Sequence, residues 1–382
     1  MFGISTPHTG KRIAVADIGS GSAGVAILSL HHGKPAQIES AHRTVLPIEE
    51  RTPEASIAGL KTALSESAEK ALAGTKTKGA IHSVYAVIRP PWVRSKTICA
   101  AKKFPKDERV SSEVLSGLGS EALEGEKELN HENLIEASII RFELNGYPTA
   151  EPLKKHAHAV TLFTLITECE PRIKDLAEET LTRTFSLKPK LCGGTGVLLS
   201  VLRAHSSSHN NYLVVDMTTT ATSMFAIQKG TPTHHALVPE GTHTILKRVA
   251  GAKMPEETFS MMRMVARDHC EDAACEDVKA QMARTELELI KAFGEGMAHL
   301  TAEERLPNTL ILLTEPAMAD WLSQFFSRID FTQFTKTAQP FSVETLSSAN
   351  LNTLAASSDK KDDLGLLIAA AFVPLEVSDR KI

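Results

Sequence analysis

Two stretches of this sequence set a single carboxylate at the end of an apolar run and follow it with small or hydroxylated residues. In the first, Val15-Ala16-Asp17-Ile18 passes into Gly19-Ser20-Gly21-Ser22-Ala23-Gly24, and hydrophobicity resumes at Val25. Glycine lets a backbone approach an anion closely, amides and hydroxyls donate to it, and a strand-tip carboxylate can hold a hydrated metal. Asp17 to Ser22 is therefore a candidate phosphate loop, although a plain hairpin turn has the same composition. A similar outline returns at Tyr212-Leu213-Val214-Val215-Asp216, followed by Met217-Thr218-Thr219-Thr220-Ala221-Thr222 and then Met224-Phe225-Ala226-Ile227. Two strand-Asp-turn-strand units in one chain predict two related halves facing a shared cleft. No Ser-His-Asp or Cys-His pairing can be assembled, so no catalytic nucleophile is assigned.

The elements that must position these residues follow from the turn and periodicity signals. Arg12 to Asp17, Val25 to Leu30 and Ala36 to Leu46 read as a three-stranded meander. Thr52-Pro53 opens a helix carrying Ile57, Leu60, Leu64 and Leu72 on one face, with Gly74 as its stop. Val84 to Ile88 is a buried strand ended by Arg89-Pro90-Pro91, which marks a domain junction. Beyond it come a strand from Val93 to Ala100, a helix from Ser111 to Glu126 and two strands around Leu144-Asn145-Gly146-Tyr147-Pro148, the second being Ala157 to Thr167. Helices are expected from Pro171 to Phe185 and from Gly193 to His205, with an extended piece between them and a polar connector at residues 206–211. The second half repeats the meander from Tyr212 to Val238, turns helical from Thr242 to about Leu300, and adds a short strand at Leu310 to Leu313. A helix then runs through Trp321 and Phe325, Thr335 to Ser358 is extended and loop-like, and an apolar helix from Leu364 to Phe372 closes the chain.

Composition bounds the function classes. The 382 residues are 42% hydrophobic and 23% charged, enough for a large core in two or more domains. A net charge of −4 gives no electrostatic footprint for nucleic acid. The longest apolar stretch near the end has ten residues (364–373), short of the roughly 20 that span a bilayer, and Met1 to Arg12 lacks a secretory h-region. Five scattered cysteines predict reduced thiols in a cytoplasmic protein. His269, Cys270 and Cys275 lack the second ligand pair of a zinc site and read as a solvated polar helix. Met261-Met262-Arg263-Met264 reads as helix core.

The order of these units resembles the actin-like ATPase fold, and within it the FtsA and PilM branch, in which the inserted domain sits where Arg89 to Thr167 sit here. The fold class is thus α/β, an actin-like (ribonuclease H-like) duplicated fold with an inserted small α+β domain. On that resemblance residues 1–89 form the first part of lobe I and 90–168 the inserted domain in the 1C position. Residues 169–208 continue lobe I, 209–358 form lobe II with a helical subdomain at about 240–305, and 359–382 are the closing helix of lobe I and tail.

The resemblance implies ATP and Mg as cofactors, with Asp17, Gly19, Ser20, Gly21 and Ser22 on one side of the cleft and Asp216, Thr218, Thr219 and Thr220 on the other. Asp17 and Asp216 would hold the metal. The family's glycines after the second Asp are replaced by Met217, Thr218 and Thr219; β-branched residues do not reach positive φ cheaply, and a Cβ blocks close backbone approach. Its late Gly-Gly pair is replaced by Thr314-Glu315-Pro316, and Glu256-Glu257 lacks the following lysine of its Glu-x-x-Lys pattern. The implied function is a cytoplasmic scaffold, at most a weak ATPase, in type IV pilus assembly or cell division. Its partner would be the tail of an inner-membrane pilus-assembly protein or the C-terminal peptide of a tubulin-like division protein, with self-association through the inserted domain. Such a chain reaches the inner membrane peripherally, through its partner. The alternative is an active Mg-ATP-dependent, FtsA-like cell-division ATPase that polymerises.

Overall fold

The structure is a computed structural model and describes residues 10–31, 33–48, 52–75, 79–205, 210–270, 272–302, 304–357 and 363–379. The leader before Gly10, residues 206–209 of the polar connector and the last three residues of the charged tail lie outside the described residues.

The first half opens with the expected meander, β1 (Lys11–Ile18), β2 (Ser22–Leu30) and β3 (Ala36–Val45), each antiparallel to the next. α1 (Pro53–Ala73) is capped by Thr52, whose Oγ1 accepts from the Ala55 N–H at 3.2 Å, and it buries Leu60, Leu64 and Ala68 against one face of the sheet. β4 (Ser83–Ile88) returns parallel to β1. β5 (Val93–Arg109), α2 (Ser112–Gly125), β6 (Leu134–Leu144), β7 (Tyr147–Thr149) and β8 (His156–Cys169) then form a separate small unit, a sheet of order β5-β8-β6-β7 with its own core around Leu118, Leu162 and Ile166. α3 (Pro171–Phe185), β9 (Lys190–Gly193) and α4 (Gly194–His205) bring the chain back to the first sheet.

The second half contains β10 (Tyr212–Met217), β11 (Thr222–Gln228), β12 (Thr231–Val238), α5 (Thr242–Ala250), α6 (Pro255–Ala266), α7 (Ala273–Leu300), β13 (Thr309–Leu313), α8 (Pro316–Arg328) and β14 (Ser342–Thr345). α9 (Ser348–Leu351), β15 (Ala355–Ser357) and α10 (Leu364–Asp379) follow, and β15 pairs with β3, which ties the end of the chain to the first sheet.

The duplication is visible in the strand order. The first sheet runs β15-β3-β2-β1-β4-β9 and the second β12-β11-β10-β13-β14, so that β1 and β10 are each flanked by an antiparallel meander on one side and parallel strands on the other. Both strands are buried nearly throughout because helices cover both faces of each sheet, and they read as continuous apolar runs for that reason. α4 and α10 lie between the two sheets. Val197, Val201, Ala370 and Val373 join Val15, Tyr85, Val214 and Phe225 in one core. α10 is buried over Leu366 to Val373, as its uniform apolarity predicts.

Three features go beyond the expectations. The helical stretch after Thr242 divides into three helices, broken at Gly251 (φ 57°) and at Asp268 (φ 53°). β5 runs on to Arg109, beyond the expected Ala100, because β8 offers a partner for its whole length across an irregularity between Lys103 and Glu108. Cys270 and Cys275, read from the sequence as scattered thiols, lie side by side with Cα atoms 5.7 Å apart. Asp272 Oδ1 accepts the Cys275 N–H at 2.8 Å and caps the start of α7.

Candidate functional site

The ends of β1 and β10 meet in the middle of the molecule, and the two turns that follow them are built alike. The Gly19 N–H donates to Ser22 O at 3.0 Å, and the Thr218 N–H donates to Ala221 O at 2.8 Å, each bond starting two residues after its aspartate. None of Gly19, Gly21, Thr218, Thr219 and Thr220 has positive φ. The threonine turn therefore reproduces the glycine turn without strain, and the conformational objection to Thr218 and Thr219 does not apply. What differs is bulk at Cβ.

That bulk fills the space between the turns. A Cβ on Gly21 would lie 2.4 Å from Thr219 Cγ2, so this glycine is needed for the approach of the opposite turn of the same chain. Ser20 Oγ accepts from the Thr220 N–H at 3.0 Å and lies 3.4 Å from Thr218 Oγ1. The first amides of α5 are engaged as well, with Thr242 N donating to Thr218 O at 3.0 Å and His243 N to Thr219 O at 2.9 Å. Free helix-terminal amides attract anions; these are already bonded to carbonyls.

Asp17 and Asp216 are 2% and 4% exposed. Each faces a guanidinium. Arg43 of β3 reaches across β2 to Asp17, Nη2 to Oδ2 at 2.7 Å, and gives Nη1 to Ser22 Oγ at 2.9 Å. Its route is set by register, since Gly24 pairs with Asp17 on one side and Arg43 on the other. A Cβ on Gly24 would sit 2.9 Å from Arg43 Nη2. Asp363, the N-cap of α10, takes the other edge of Arg43, Nε to Oδ2 at 2.6 Å and Nη2 to Oδ1 at 3.0 Å, and accepts the Leu366 N–H at 3.0 Å. Arg89, one residue past β4, donates to Asp216 and lies 4.0 Å from Asp17. Burial works against both guanidinium charges, yet Asp363 and Asp17 hold Arg43 above its ordinary range, and Asp216 and Asp17 do the same for Arg89. Against burial, the Arg43 charge keeps the Asp363 carboxyl below its ordinary range.

Beside this network remains a cavity of about 410 Å³, lined by Gly19, Arg43, Arg89, Thr219, Glu315 and Gly365 among others. Thr314, Glu315 and Pro316 stand at its edge, where β13 passes into α8. Gly365 packs so closely that a Cβ would lie 2.3 Å from Asp17 Oδ2. The sequence placed Asp17, Asp216 and both turns at one locus, and the structure brings all of them together. It did not mark Arg43, Arg89 or Asp363, which come from three other elements. The only local signal was Gly24, a small residue between two charged partners in register.

No protein-family model matches the chain, and no curated protein matches it in sequence. Among solved structures it is similar to the PilM-PilN type IV pilus biogenesis complex, with 14% identity over 96% of this chain and 98% of that chain and a TM-score of 0.60. The fold is actin-like. A second similar structure is the ethanolamine utilization protein EutJ from Carboxydothermus hydrogenoformans, at 13% identity over 96% of this chain and 92% of that one, TM-score 0.48. At these identities the likeness concerns the actin-like fold alone. The paired strand tips of this chain thus lie at the centre of an actin-like cleft, between its two duplicated sheets.

A larger concavity lies elsewhere, a groove of about 1180 Å³ between the inserted unit and the second sheet. Val93 to Thr97 of β5 line one wall, and Pro232 to His235 with Leu237 of β12 line the other. Each of these strands is the edge of its sheet. Glu170 N donates to Trp92 O at 2.8 Å, and Val93 is in register with Cys169. By antiparallel alternation the backbone groups of Val93, Ser95 and Thr97 then point away from β8, toward the open edge.

Proposed function

We propose that this chain is a PilM-like actin-fold scaffold that docks a short extended peptide of a membrane-anchored pilus-assembly protein, and that its actin-like cleft does not take Mg-ATP. The observation that carries this reading is the pairing of Asp17 with Arg43 and of Asp216 with Arg89. A hydrated Mg ion needs carboxylate oxygens facing it, and here guanidinium groups already hold the two candidates. Groups of both turns also have protein partners: Ser20 Oγ accepts from the Thr220 N–H, Ser22 Oγ accepts from Arg43, and the first α5 amides donate to the Thr218 and Thr219 carbonyls. The residues present do not fit the cofactor, so no catalytic step is assigned to them.

Docking is the function the remaining geometry supports. The groove is lined by β5 and β12, each the edge of its sheet, and an extended peptide laid along such an edge gains main-chain hydrogen bonds and side-chain pockets. PilM was solved with PilN, which makes a peptide of that class the first partner to try. No helix among the described residues is long and apolar enough to cross a membrane, so this reading has the chain reach the membrane through its partner.

Fluorescence anisotropy with labelled peptides from the cytoplasmic tail of a PilN-type protein of the same organism tests the reading. Saturable binding is expected, weakened about tenfold or more by Ser95→Pro, which removes an edge donor. Leu237→Glu, on the opposite wall and 47% exposed, should weaken binding without disturbing the fold. No binding would overturn the docking function, and binding indifferent to both substitutions would overturn the groove.

A further inference from the structure

At the seam where the inserted unit meets the second sheet, opposite the cleft residues in the chain, the β11–β12 hairpin turn presents two successive carbonyls to two arginines. Arg141 of β6 donates Nη1 to Lys229 O at 2.7 Å and to Thr231 Oγ1 at 3.3 Å, and Arg203 of α4 donates Nη2 to Gly230 O. The turn can do this because Lys229 and Gly230 both adopt positive φ, 51° and 74°, which turns consecutive carbonyls outward. Over them lies a depression of about 280 Å³ lined by Arg141, Phe142, Thr149, Arg203, Lys229 and Gly230, among others, with no carboxylate in its lining.

The charge there is unbalanced. Glu143 pairs with Arg141, but the Arg203 guanidinium has no carboxylate among the described residues, and neither has the exposed Lys229 ammonium. Arg141 Nε is buried with no hydrogen-bond partner. Lys155 adds a further ammonium at the rim, donating to Thr149 Oγ1 at 2.8 Å. Burial and the Arg141 charge hold the Arg203 guanidinium below its ordinary range, as expected of a cation lacking its counter-ion. In a chain of net charge −4 this concentration of cations is local.

We infer that this depression is a binding site for a small phosphate-type oxyanion, held by Arg141, Arg203 and Lys229. Arg203 keeps guanidinium N–H groups beyond the one it gives to Gly230 O, Arg141 adds its charge beside them, and Lys229 and Lys155 add point charges. The three holders come from the inserted unit, from the helix between the sheets and from the second sheet, so the anion would join three parts of the molecule. Its source is either a free phosphate compound or a lipid phosphate headgroup, and the chemistry is shared.

Calorimetry with inorganic phosphate and with pyrophosphate at constant ionic strength, and co-sedimentation with phosphatidylglycerol vesicles, separate the sources. The full chain should bind one of these probes. Lys229→Gln, at an exposed position that leaves folding intact, should weaken that binding about tenfold, and Arg203→Gln at least as much. Phosphate binding lost in both variants supports the free-anion source; vesicle binding lost in both, without free phosphate binding, supports the headgroup. Binding of none of the probes, or binding unchanged in Lys229→Gln and Arg203→Gln, would overturn the site.

Discussion

Arg89, which leaves the end of β4 in the first half, donates to Asp216 at the tip of β10 in the second, and so joins the two halves of the actin-like fold through one buried ion pair. Its other side faces Asp17 at 4.0 Å. One cation thus lies between the two strand-tip carboxylates.

Removing Arg89 leaves the buried Asp216 carboxyl without its partner, and removing the Asp216 charge leaves Arg89 with Asp17 alone, at 4.0 Å. Arg89→Ala is expected to destabilise by about 3 kcal/mol, and Asp216→Asn by a similar amount. Because each single change removes the same contact, the double variant should lose less than the sum, with a coupling of about 1–3 kcal/mol. Urea unfolding of the four proteins measures this. Strict additivity would mean that the pair contributes nothing between the halves.

Two glycines in helices should respond in opposite directions. Alanine at Gly365 would drive Cβ to 2.3 Å from Asp17 Oδ2 and 3.0 Å from Arg43 Nη2, a steric insertion expected to cost about 2 kcal/mol. Alanine at Gly294, inside α7 with nothing within 4 Å of the new atom, should stabilise by about 0.5–1 kcal/mol. Thermal melts of the two variants check the contrast. Equal effects would mean that the α10 terminus does not press on Asp17.

His235 on β12 supplies a pH signature. Its ring stacks on Phe225, its Nε2 lies 2.8 Å from Ser223 Oγ, and burial, with the nearby His299, lowers its pKa to about 4. The unfolded chain takes up this proton first, near pH 6.5, so the stability contribution is complete above that value and is lost as pH falls toward 4. The expected loss over that window is about 1–3 kcal/mol. His235→Gln, which can still bond Ser223, should flatten the slope, as denaturant titrations at several pH values would reveal.

Much of this was legible in the residues, and the parts that were not share a physical cause. Asp17 and Asp216 end buried apolar runs, and their turns and meanders carry local signals that survive without tertiary context. Arg43, Arg89 and Asp363 converge on them from a meander edge, a domain junction and a helix cap, and only strand register brings them together. Gly24 shows why: its missing side chain matters because Asp17 and Arg43 are its neighbours across two strand pairings. The threonine turn separates the two things glycine supplies, positive φ and a missing Cβ. Both turns use ordinary backbone angles, and glycine serves there for closeness. The breaks in the long helical stretch fell at residues with positive φ, Gly251 and Asp268, which periodicity alone does not weigh.

The most direct test of the arginine-closed cleft is calorimetric titration of the full chain with Mg-ATP, beside the same titration of Asp17→Ala. The account predicts no binding heat at millimolar nucleotide for either protein. Micromolar affinity in the full chain, abolished by Asp17→Ala, would contradict it.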